Sequence, residues 1–334
     1  MKRQLWLLIL IIVFGVALRL ALIVFLAGSY KPIDILIVDR QVPKLILDLQ
    51  NPYTHTYPVD NYTLSTFAYL PVIPIYYVPF YLLGDIRYGN IFADVLIMLA
   101  AYLIAKPPNF DYNCKNALYA PLVFAVLPLS FWLTCISATN FMIGTAFMML
   151  ALAFLIRKNF AASAVFLGLG VAANQFIILL LPLFGVYYWK ERRMGSLLLS
   201  VAVSAAIILP FFLATPSNFV YDVFTFQFTR ALQSNGAFSL YSIATSFGVQ
   251  LSTWIRIIIF AVPFLVLTFW KRRSPQTLLL SACGIMLFAA FFLPVDGFYN
   301  YFLPASAIVC ALIPLIINKI HLKIKKRQLL PKHL

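Results

Sequence analysis

The sequence predicts an all-α polytopic membrane protein, and three observations carry this prediction. Hydrophobic residues make up 63% of the 334 residues and charged residues only 10%, with a mean hydropathy of +0.93, whereas a soluble domain carries roughly 25% charged residues. Apolar runs of about 20 residues, long enough to cross a bilayer as helices, recur along the chain. Short clusters of basic residues separate these runs, as topology signals do. A single transmembrane domain over residues 1–334 is expected.

The first element is expected to be a transmembrane helix near residues 5–28. Lys2 and Arg3 precede it as in a signal peptide, but the apolar run is too long for an ordinary signal sequence, so it is interpreted as a retained span. Arg19 interrupts this span, and a charge at such depth costs about 2.5–3.5 kcal/mol on insertion scales. Three roles are open for Arg19: snorkelling towards the outer headgroups, pairing with an outer-loop acid, or binding a phosphate.

The loop that follows concentrates acidic residues. Asp34, Asp39 and Asp48 fall within fifteen residues. Asp34 and Asp39 come so soon after the first span that both are expected at the membrane surface. A carboxylate there can accept a proton from a hydroxyl nucleophile, which is worth about 10²–10⁴ in rate. The alternative is that these acids only pair with basic residues of the same loop.

Segment 69–84, YLPVIPIYYVPFYLLG, closes this loop. It is short for a span and holds three prolines, each of which removes a backbone hydrogen-bond donor. We interpret it as an interfacial or re-entrant element on the outer face, covered by protein.

The remaining apolar segments are interpreted as nine spans, which with the first make about ten crossings. They lie near 88–105, 116–135, 138–156, 159–172, 174–189, 194–214, 252–270, 276–293 and 298–318. Segments 159–172 and 174–189 are expected to be two short helices that meet on the outer side. The polar residue Gln175 lies where they meet and is a candidate contact for a substrate.

The charge pattern predicts the orientation. Ten crossings place both basic termini on one side, which the positive-inside rule assigns to the cytoplasm. Eighteen of the 25 basic residues then lie inside, and seven of the ten acids lie outside. Outer loops 29–87 and 215–251 are the two long enough to form an active-site face.

Further candidates lie in or beside the outer loops. Arg230 is the only basic residue of the aromatic loop 215–251, and its guanidinium suits bidentate binding of a phosphate. Asn300 and Tyr301, between the last two spans, are expected to contact a substrate. Arg87 either binds a phosphate or forms a structural pair with Asp94, seven residues on; for Asp94 the structural pair is favoured.

The same pattern excludes other classes. The net charge of +15 would suit nucleic acid, but its distribution in short clusters between apolar runs argues against a nucleic-acid partner. No cysteine or histidine spacing indicates a metal site, so no cofactor is expected, with a divalent metal left open.

These pieces, in this order, resemble the GT-C superfamily of membrane glycosyltransferases, and within it the mannosyltransferase-like glycosyltransferase family 87. The resemblance rests on Arg19 in the first span, on Asp34, and on the motif LQNPY with Asn51 and Tyr53. The Tyr/Pro-rich stretch from Tyr69 and the motif YNYFLP near the end add to it. The chain departs from the family pattern in lacking a Gly before NPY and in carrying the extra acid Asp39.

The resemblance implies an inverting transfer of a hexose, mannose first, from a polyprenyl (dolichyl) phosphate carrier to a glycan, lipid or protein acceptor. Asp34 or Asp39 would be the base, and Asp34 is favoured by its spacing to NPY. Arg19 and Arg230, with Arg87 as a further candidate, would stabilise the leaving phosphate. Asn51, Tyr53 and Tyr69 would position the acceptor loop. The site would face the outside of a plasma membrane or the lumen of an ER-like membrane.

A flippase or transporter of lipid-linked sugars or small solutes is the alternative from another class. Transporters place ionisable residues near mid-membrane and often show inverted repeats. This sequence shows no obvious repeat and holds seven of its ten acids at the outer surface. The enzyme is therefore favoured, and a structural subunit of a larger complex remains a third reading.

Overall fold

The computed structural model describes residues 2–26, 33–59, 64–106, 114–226, 238–270, 274–295 and 298–329. Within these ranges the chain consists of helices and short connecting segments, with one antiparallel strand pair, β1 (Tyr57–Pro58) and β2 (Leu64–Ser65). The helices are α1 Lys2–Leu26, α2 Asp34–Leu47, α3 Val72–Leu82, α4 Arg87–Ala105, α5 Tyr119–Ala125, α6 Pro128–Phe131, α7 Phe141–Ile156, α8 Phe160–Val171, α9 Leu181–Lys190, α10 Met194–Ala214, α11 Pro216–Val220, α12 Leu240–Ser246, α13 Thr253–Phe269, α14 Pro275–Phe292 and α15 Leu303–Leu329.

The predicted fold class, a polytopic helical membrane protein, is confirmed. In the described ranges five helices are long and apolar enough to cross a membrane: α1, α4, α10, α14 and the Tyr299–Asn318 stretch that leads into α15. Four of the other predicted crossings are shorter apolar helices of 12 to 17 residues. Length and composition alone therefore support five or six spans rather than ten.

The predicted span 116–135 is a broken helix. Its two halves, Asn116–Ala125 and Pro128–Ile136, meet at 44° and count as a sixth span if taken together. Pro128 causes the break, because it lacks an N–H and forces Leu127 into an extended conformation, with φ −67° and ψ 117°. A π turn over Trp132–Ile136 then ends the second half.

Helix α7 forms the centre of the bundle and packs against α4, α8 and α15. Nearly all of its side chains are buried, as expected for a helix that is apolar all round. Small residues allow close approach there: a Cβ on Gly144 would lie 2.7 Å from the Cβ of Asn174. Helices α1 and α10 lie at the periphery, with most of their apolar side chains exposed to what would be lipid.

A buried ion pair joins α1 to α4. The guanidinium of Arg19 binds the carboxylate of Asp94 through its Nε, and both side chains are fully buried. Its Nη1 donates to the carbonyls of Gly15 at 3.0 Å and Ala125 at 3.2 Å. The Arg19 side chain is thereby tied to three backbone or side-chain groups on α1, α4 and α5.

The carboxylate of Asp94 is satisfied from the other side by the broken helix. Thr134 Oγ1 donates to Asp94 Oδ2 at 2.7 Å, and Ser130 Oγ donates to Oδ1 at 3.1 Å while accepting from Arg19 Nη2. The Phe131 ring lies 4.9 Å from the guanidinium carbon. The charges of Arg19 and Asp94 are therefore paired, and their hydrogen bonds are made, inside the protein. This pairing offsets the cost of burying both groups.

Two sequence predictions are corrected by this arrangement. Arg19 neither snorkels to a surface nor is exposed to a phosphate, because its side chain has no accessible area and pairs with Asp94. Arg87 does not pair with Asp94, because Asp94 is already neutralised. Arg87 instead binds Asp85, two residues earlier, at 2.8 Å through Nε and 2.5 Å through Nη2.

The loops that the charge pattern assigns to the outside meet at one end of the bundle, here called the acidic end. Asn51 binds Thr215 at 3.1 Å there, and Ser239 Oγ donates to the carbonyl of Val295 at 2.7 Å. The tie between Asn51 and Thr215 links the first long outer loop to the second.

The loops assigned to the inside meet at the opposite, basic end. Arg157 Nη2 donates to the carbonyl of Lys106 at 2.7 Å, and Lys158 pairs with Glu191 at 3.5 Å. Each contact joins loops predicted to share a side. The prediction that the basic end faces the cytoplasm rests on the charge pattern.

Replacing Arg19 by Met is expected to lower the free energy of unfolding by about 3–5 kcal/mol, because the Asp94 charge would remain buried without its partner. Replacing both partners, as Arg19→Met with Asp94→Leu, is expected to cost clearly less than the single change. Thermal unfolding of the purified protein in detergent measures both, with Arg3→Gln on the exposed start of α1 as the control. A double variant as unstable as Arg19→Met would contradict the closed ion pair.

Candidate active site

Helix α2 carries the two candidate bases on different sides. Asp34 is the first residue of α2, is exposed, and accepts a hydrogen bond from the N–H of Ile35 at 2.8 Å. Asp39 lies five residues on, which turns it by roughly 140° around a helix, and its side chain is fully buried. One carboxylate therefore faces the surface of the acidic end and the other faces the protein.

Asp39 meets Asn140 inside the protein. The Asn140 amide Nδ2 lies 3.2 Å from Asp39 Oδ2 and 3.5 Å from Oδ1. No described cation pairs with this carboxyl. Burial raises the pKa of Asp39 well above its ordinary value; the hydrogen bond from Asn140 opposes this, and the charge of Asp34 adds to it.

The position of Asn140 follows from the broken helix. After the π turn, Ala138 adopts a φ of +46°, a left-handed conformation that is unfavourable for a residue with a Cβ. The chain turns there so that Asn140 stands at the start of α7. Its side chain is 2% exposed and points back onto α2.

An aromatic cluster adjoins Asn140. The ring of Phe141 lies 4.8 Å from that of Tyr301, and Phe176 lies 5.3 Å from Tyr301, both with edge-on geometry. Three distant predictions, at residues 175, 300 and 301, are thereby brought together. Gln175 begins the 3₁₀ turn that holds Phe176 and is half-buried, and Asn300 is buried with its Oδ1 unpartnered in the described part of the chain.

The NPY motif joins the two outer loops. Asn51 caps its own 3₁₀ turn by accepting from the N–H of Tyr53 at 3.1 Å. The Tyr53 hydroxyl donates to the carbonyl of Tyr69 at 2.6 Å, and its ring packs against Phe219 at 4.7 Å. Tyr53 is only 1% exposed. These contacts tie the segments of Asn51, Tyr53 and Tyr69 to one another and leave Tyr53 inaccessible, and the predicted positioning of an acceptor stays a prediction.

Asp222 lies beside this motif at the acidic end. It is 5% exposed, and its charge adds to burial, the larger cause, in raising the pKa of both Tyr53 and Tyr57. Burial raises the pKa of Asp222 itself to about 6, opposed by Thr66. Asp222 was not among the sequence candidates, because an acid in an outer loop carries no sign of its own burial.

The structure describes one of the two remaining predicted phosphate ligands, Arg87, and not the other. Arg230 lies outside the described residues. Arg87 is held by Asp85, and its Nη1 has no hydrogen-bond partner within the described ranges. A further cation, Arg256 of α13, was missed: it is 1% exposed, donates to the carbonyl of Leu293 at 2.6 Å, and lies 5.1 Å from the Tyr241 ring. A lone charge within an apolar segment, the signal that identified Arg19, identifies Arg256 as well.

Metal ligands do not cluster in the described part of the chain. No group of three or more His, Cys, Asp or Glu side chains lies close enough there to hold an ion.

Comparison with known proteins concerns structure only, since no family model and no curated protein matches the sequence. The crystal structure of ArnT from Cupriavidus metallidurans in the apo state matches with a TM-score of 0.61 at 16% identity, over 94% of this chain and 60% of ArnT. ArnT bound to undecaprenyl phosphate matches with a TM-score of 0.55 at 16% identity, over 91% and 60%.

This likeness shows the fold: the chain shares the helical architecture of ArnT over 94% of its length. The chain spans about 60% of the length of ArnT.

The raised pKa of Asp222 makes stability depend on pH. A buried carboxyl with a pKa moved from 3.8 to about 6 binds its proton more tightly in the folded state, so its contribution is full below the unfolded pKa and is lost as the pH rises through about 6. Asp222→Asn is therefore expected to raise the melting temperature at about pH 8 and to match the parent protein near pH 4. Melting curves across this range measure the difference.

The control for this experiment is Asp48→Asn, which removes an exposed acid of the first outer loop. It is expected to leave the pH dependence unchanged. A parent protein and an Asp222→Asn variant that differ by the same amount at both pH values would contradict a buried, protonated Asp222.

Proposed function

We propose that the chain is an inverting glycosyltransferase that moves a hexose from a polyprenyl phosphate carrier to an acceptor hydroxyl at the acidic end. The observation that carries the proposal is the exposed Asp34, which begins α2 beside a buried polar and aromatic cluster within a GT-C-like fold. One of the two similar ArnT structures holds undecaprenyl phosphate, which supports a polyprenyl phosphate donor here.

Asp34 is the better base on grounds of access. A general base must come within hydrogen-bond reach of the hydroxyl that it deprotonates. Asp34 is exposed, whereas Asp39 has no accessible surface and is bound by Asn140. We assign Asp39 the role of holding α2 against the start of α7, which positions Asp34.

The proposed reaction is a single displacement. Asp34 takes the proton of the acceptor hydroxyl as its oxygen attacks the anomeric carbon of the donor sugar. The bond from that carbon to the phosphate oxygen breaks, and the polyprenyl phosphate leaves with the electron pair. Cations stabilise the charge that develops on the phosphate. The proposed ones are Arg87, whose Nη1 has no partner among the described residues, and Arg230 of the second outer loop.

The aromatic cluster is proposed to receive the sugar. The half-buried Gln175 and the buried amide of Asn300, whose Oδ1 is unpartnered within the described residues, offer hydrogen bonds beside the rings of Tyr301 and Phe176. Mannose is the first hexose to test, on the family resemblance alone. Glycan, lipid and protein acceptors remain to be compared.

The orientation is part of the proposal. Basic loops favour the cytoplasmic side, which would place both termini inside and the acidic end outside or in a lumen. The membrane is proposed to be a plasma membrane or an ER-like membrane.

Asp34→Asn is expected to reduce transfer of radiolabelled mannose or glucose from a polyprenyl phosphate donor by about 10²–10⁴, because the amide cannot accept the proton. Asp48→Asn, which removes another exposed acid of the same loop, is the matched control and is expected to change the rate by less than about twofold. Asp39→Asn keeps a hydrogen bond to Asn140 and is expected to lose less than about tenfold.

Two results would count against this assignment. A large loss in Asp39→Asn with normal thermal stability would move the base to Asp39, and undiminished transfer in both variants would remove the base altogether. No transfer with any donor, together with flux of lipid-linked sugar in proteoliposomes, would favour the flippase or transporter instead.

A further inference from the structure

The basic end holds a concavity of about 480 Å³ that the proposed reaction does not use. It lies between two turns, the one that joins α7 to α8 and the one that joins α9 to α10. Three cationic side chains line it, those of Arg157, Lys158 and Arg193, together with the polar side chains of Asn159 and Ser196. This concavity is called the basic pocket below.

The basic pocket holds more positive charge than the described acids neutralise. Lys158 pairs with Glu191 at 3.5 Å, but its side chain remains 61% exposed. Arg157 donates only to backbone carbonyls, and its buried Nε has no partner within the described ranges. Arg193 lies 5.9 Å from the ring of Phe160 and forms no ion pair with any described acid. Among the described residues, one carboxylate thus faces three cations.

Both turns also hold a cation in the left-handed region of backbone conformation. Lys158 has a φ of +59° and Arg192 a φ of +56°. The turns are helix C-caps of the kind that glycine usually ends: the N–H of Asn159 bonds to Phe154 at 2.9 Å, and the N–H of Arg193 bonds to Tyr188 at 2.7 Å. Glycine would relieve the backbone at either position, because the left-handed region disfavours a Cβ.

Two helices also begin at the basic pocket. Asn159 caps α8 by accepting from the N–H of Ala162 at 3.2 Å, and α10 begins at Met194, directly after Arg193. Helices α7 and α9 end at the same two turns, so the helix dipoles offset one another and the three side-chain charges carry the positive potential. The basic pocket therefore suits a group with several anionic oxygens.

The level of the basic pocket along the helix bundle indicates the source of such a group. Helix α10 rises from it with an apolar surface that is open to lipid, since Leu198 is 70% exposed and Val201 46%. Trp189, 72% exposed and typical of a membrane interface, lies one turn before the basic pocket. A bilayer whose acyl chains cover α10 would bring its headgroups to this level.

We propose that the basic pocket binds the phosphate of an anionic phospholipid headgroup. This site lies at the opposite end of the bundle from the proposed active site and does not rest on the proposed transfer. A free phosphate shares the same chemistry and is the other source to be tested. Topology alone would also place cations at this end, but it would not distinguish cations that line the basic pocket from those beside it.

The chain offers a matched pair of variants for this distinction. Lys158→Gly and Arg192→Gly each remove one cation from a left-handed position at the basic end, and glycine relieves the backbone at both. Only Lys158 lines the basic pocket. Neither change is expected to impair folding, which the melting temperature in lipid-free detergent checks.

The full chain is placed in nanodiscs of phosphatidylcholine with and without phosphatidylglycerol, and bound phosphatidylglycerol is counted by native mass spectrometry. Lys158→Gly is expected to weaken retention of phosphatidylglycerol about tenfold, the loss of one charge-assisted contact, and Arg193→Gln to do the same. Arg192→Gly is expected to stay within about twofold of the parent protein. A parallel titration with inorganic phosphate in phosphatidylcholine nanodiscs tests the soluble source.

Retention that depends on Lys158 and Arg193 but not on Arg192 supports the proposal. Protection by inorganic phosphate at the same residues supports the phosphate site but assigns it to a soluble anion. Equal losses in Lys158→Gly and Arg192→Gly, or no preference for phosphatidylglycerol in the parent protein, would overturn it, because the cations would then act only as a diffuse surface charge.

Discussion

The buried ion pair between Arg19 and Asp94 is the constraint on which the arrangement of the acidic end depends. In a low-dielectric interior neither charge is tolerated alone, so α1 and α4 must meet at the level where the two side chains face each other. Ser130 and Thr134 complete the carboxylate's hydrogen bonds. The second half of the broken helix is thereby held beside α4, and its end lies at a defined place.

The position of the candidate site depends on where the broken helix ends. The chain leaves the π turn through the left-handed Ala138 and enters α7 at Asn140, which binds Asp39. This hydrogen bond ties α2, which packs against α3, to the start of α7, and Asp34 at the first position of α2 is exposed. Phe141, the next residue, packs on Tyr301. A series of contacts that begins at the Arg19–Asp94 pair thus connects the first span to the aromatic cluster. Tyr301, near the end of the chain, completes this cluster.

The two ends of the bundle divide the chemistry. The acidic end holds buried and exposed carboxyls, aromatic rings and amides, a combination suited to a sugar and a hydroxyl nucleophile. The basic end holds cations on two turns and the first turns of two helices, a combination suited to a phosphate. Both follow from one physical rule: charges are kept out of the hydrocarbon layer except where they can pair, so polar function collects at the two surfaces.

The sequence by itself determined the membrane class, the ranges of most helices, the segregation of acidic from basic loops, and the residues around Asp34, NPY and Asn300 as candidates. These properties are local, because hydropathy and charge over about 20 residues decide whether a segment enters a bilayer. Only the tertiary structure decided that Arg19 pairs with Asp94 and Arg87 with Asp85, that Asp39 and Asp222 are buried while Asp34 is exposed, and that Arg256 belongs to the acidic end. Partners and burial depend on which helices pack together and at what height, and residues 75 positions apart such as Arg19 and Asp94 carry no mark in the sequence that they will meet.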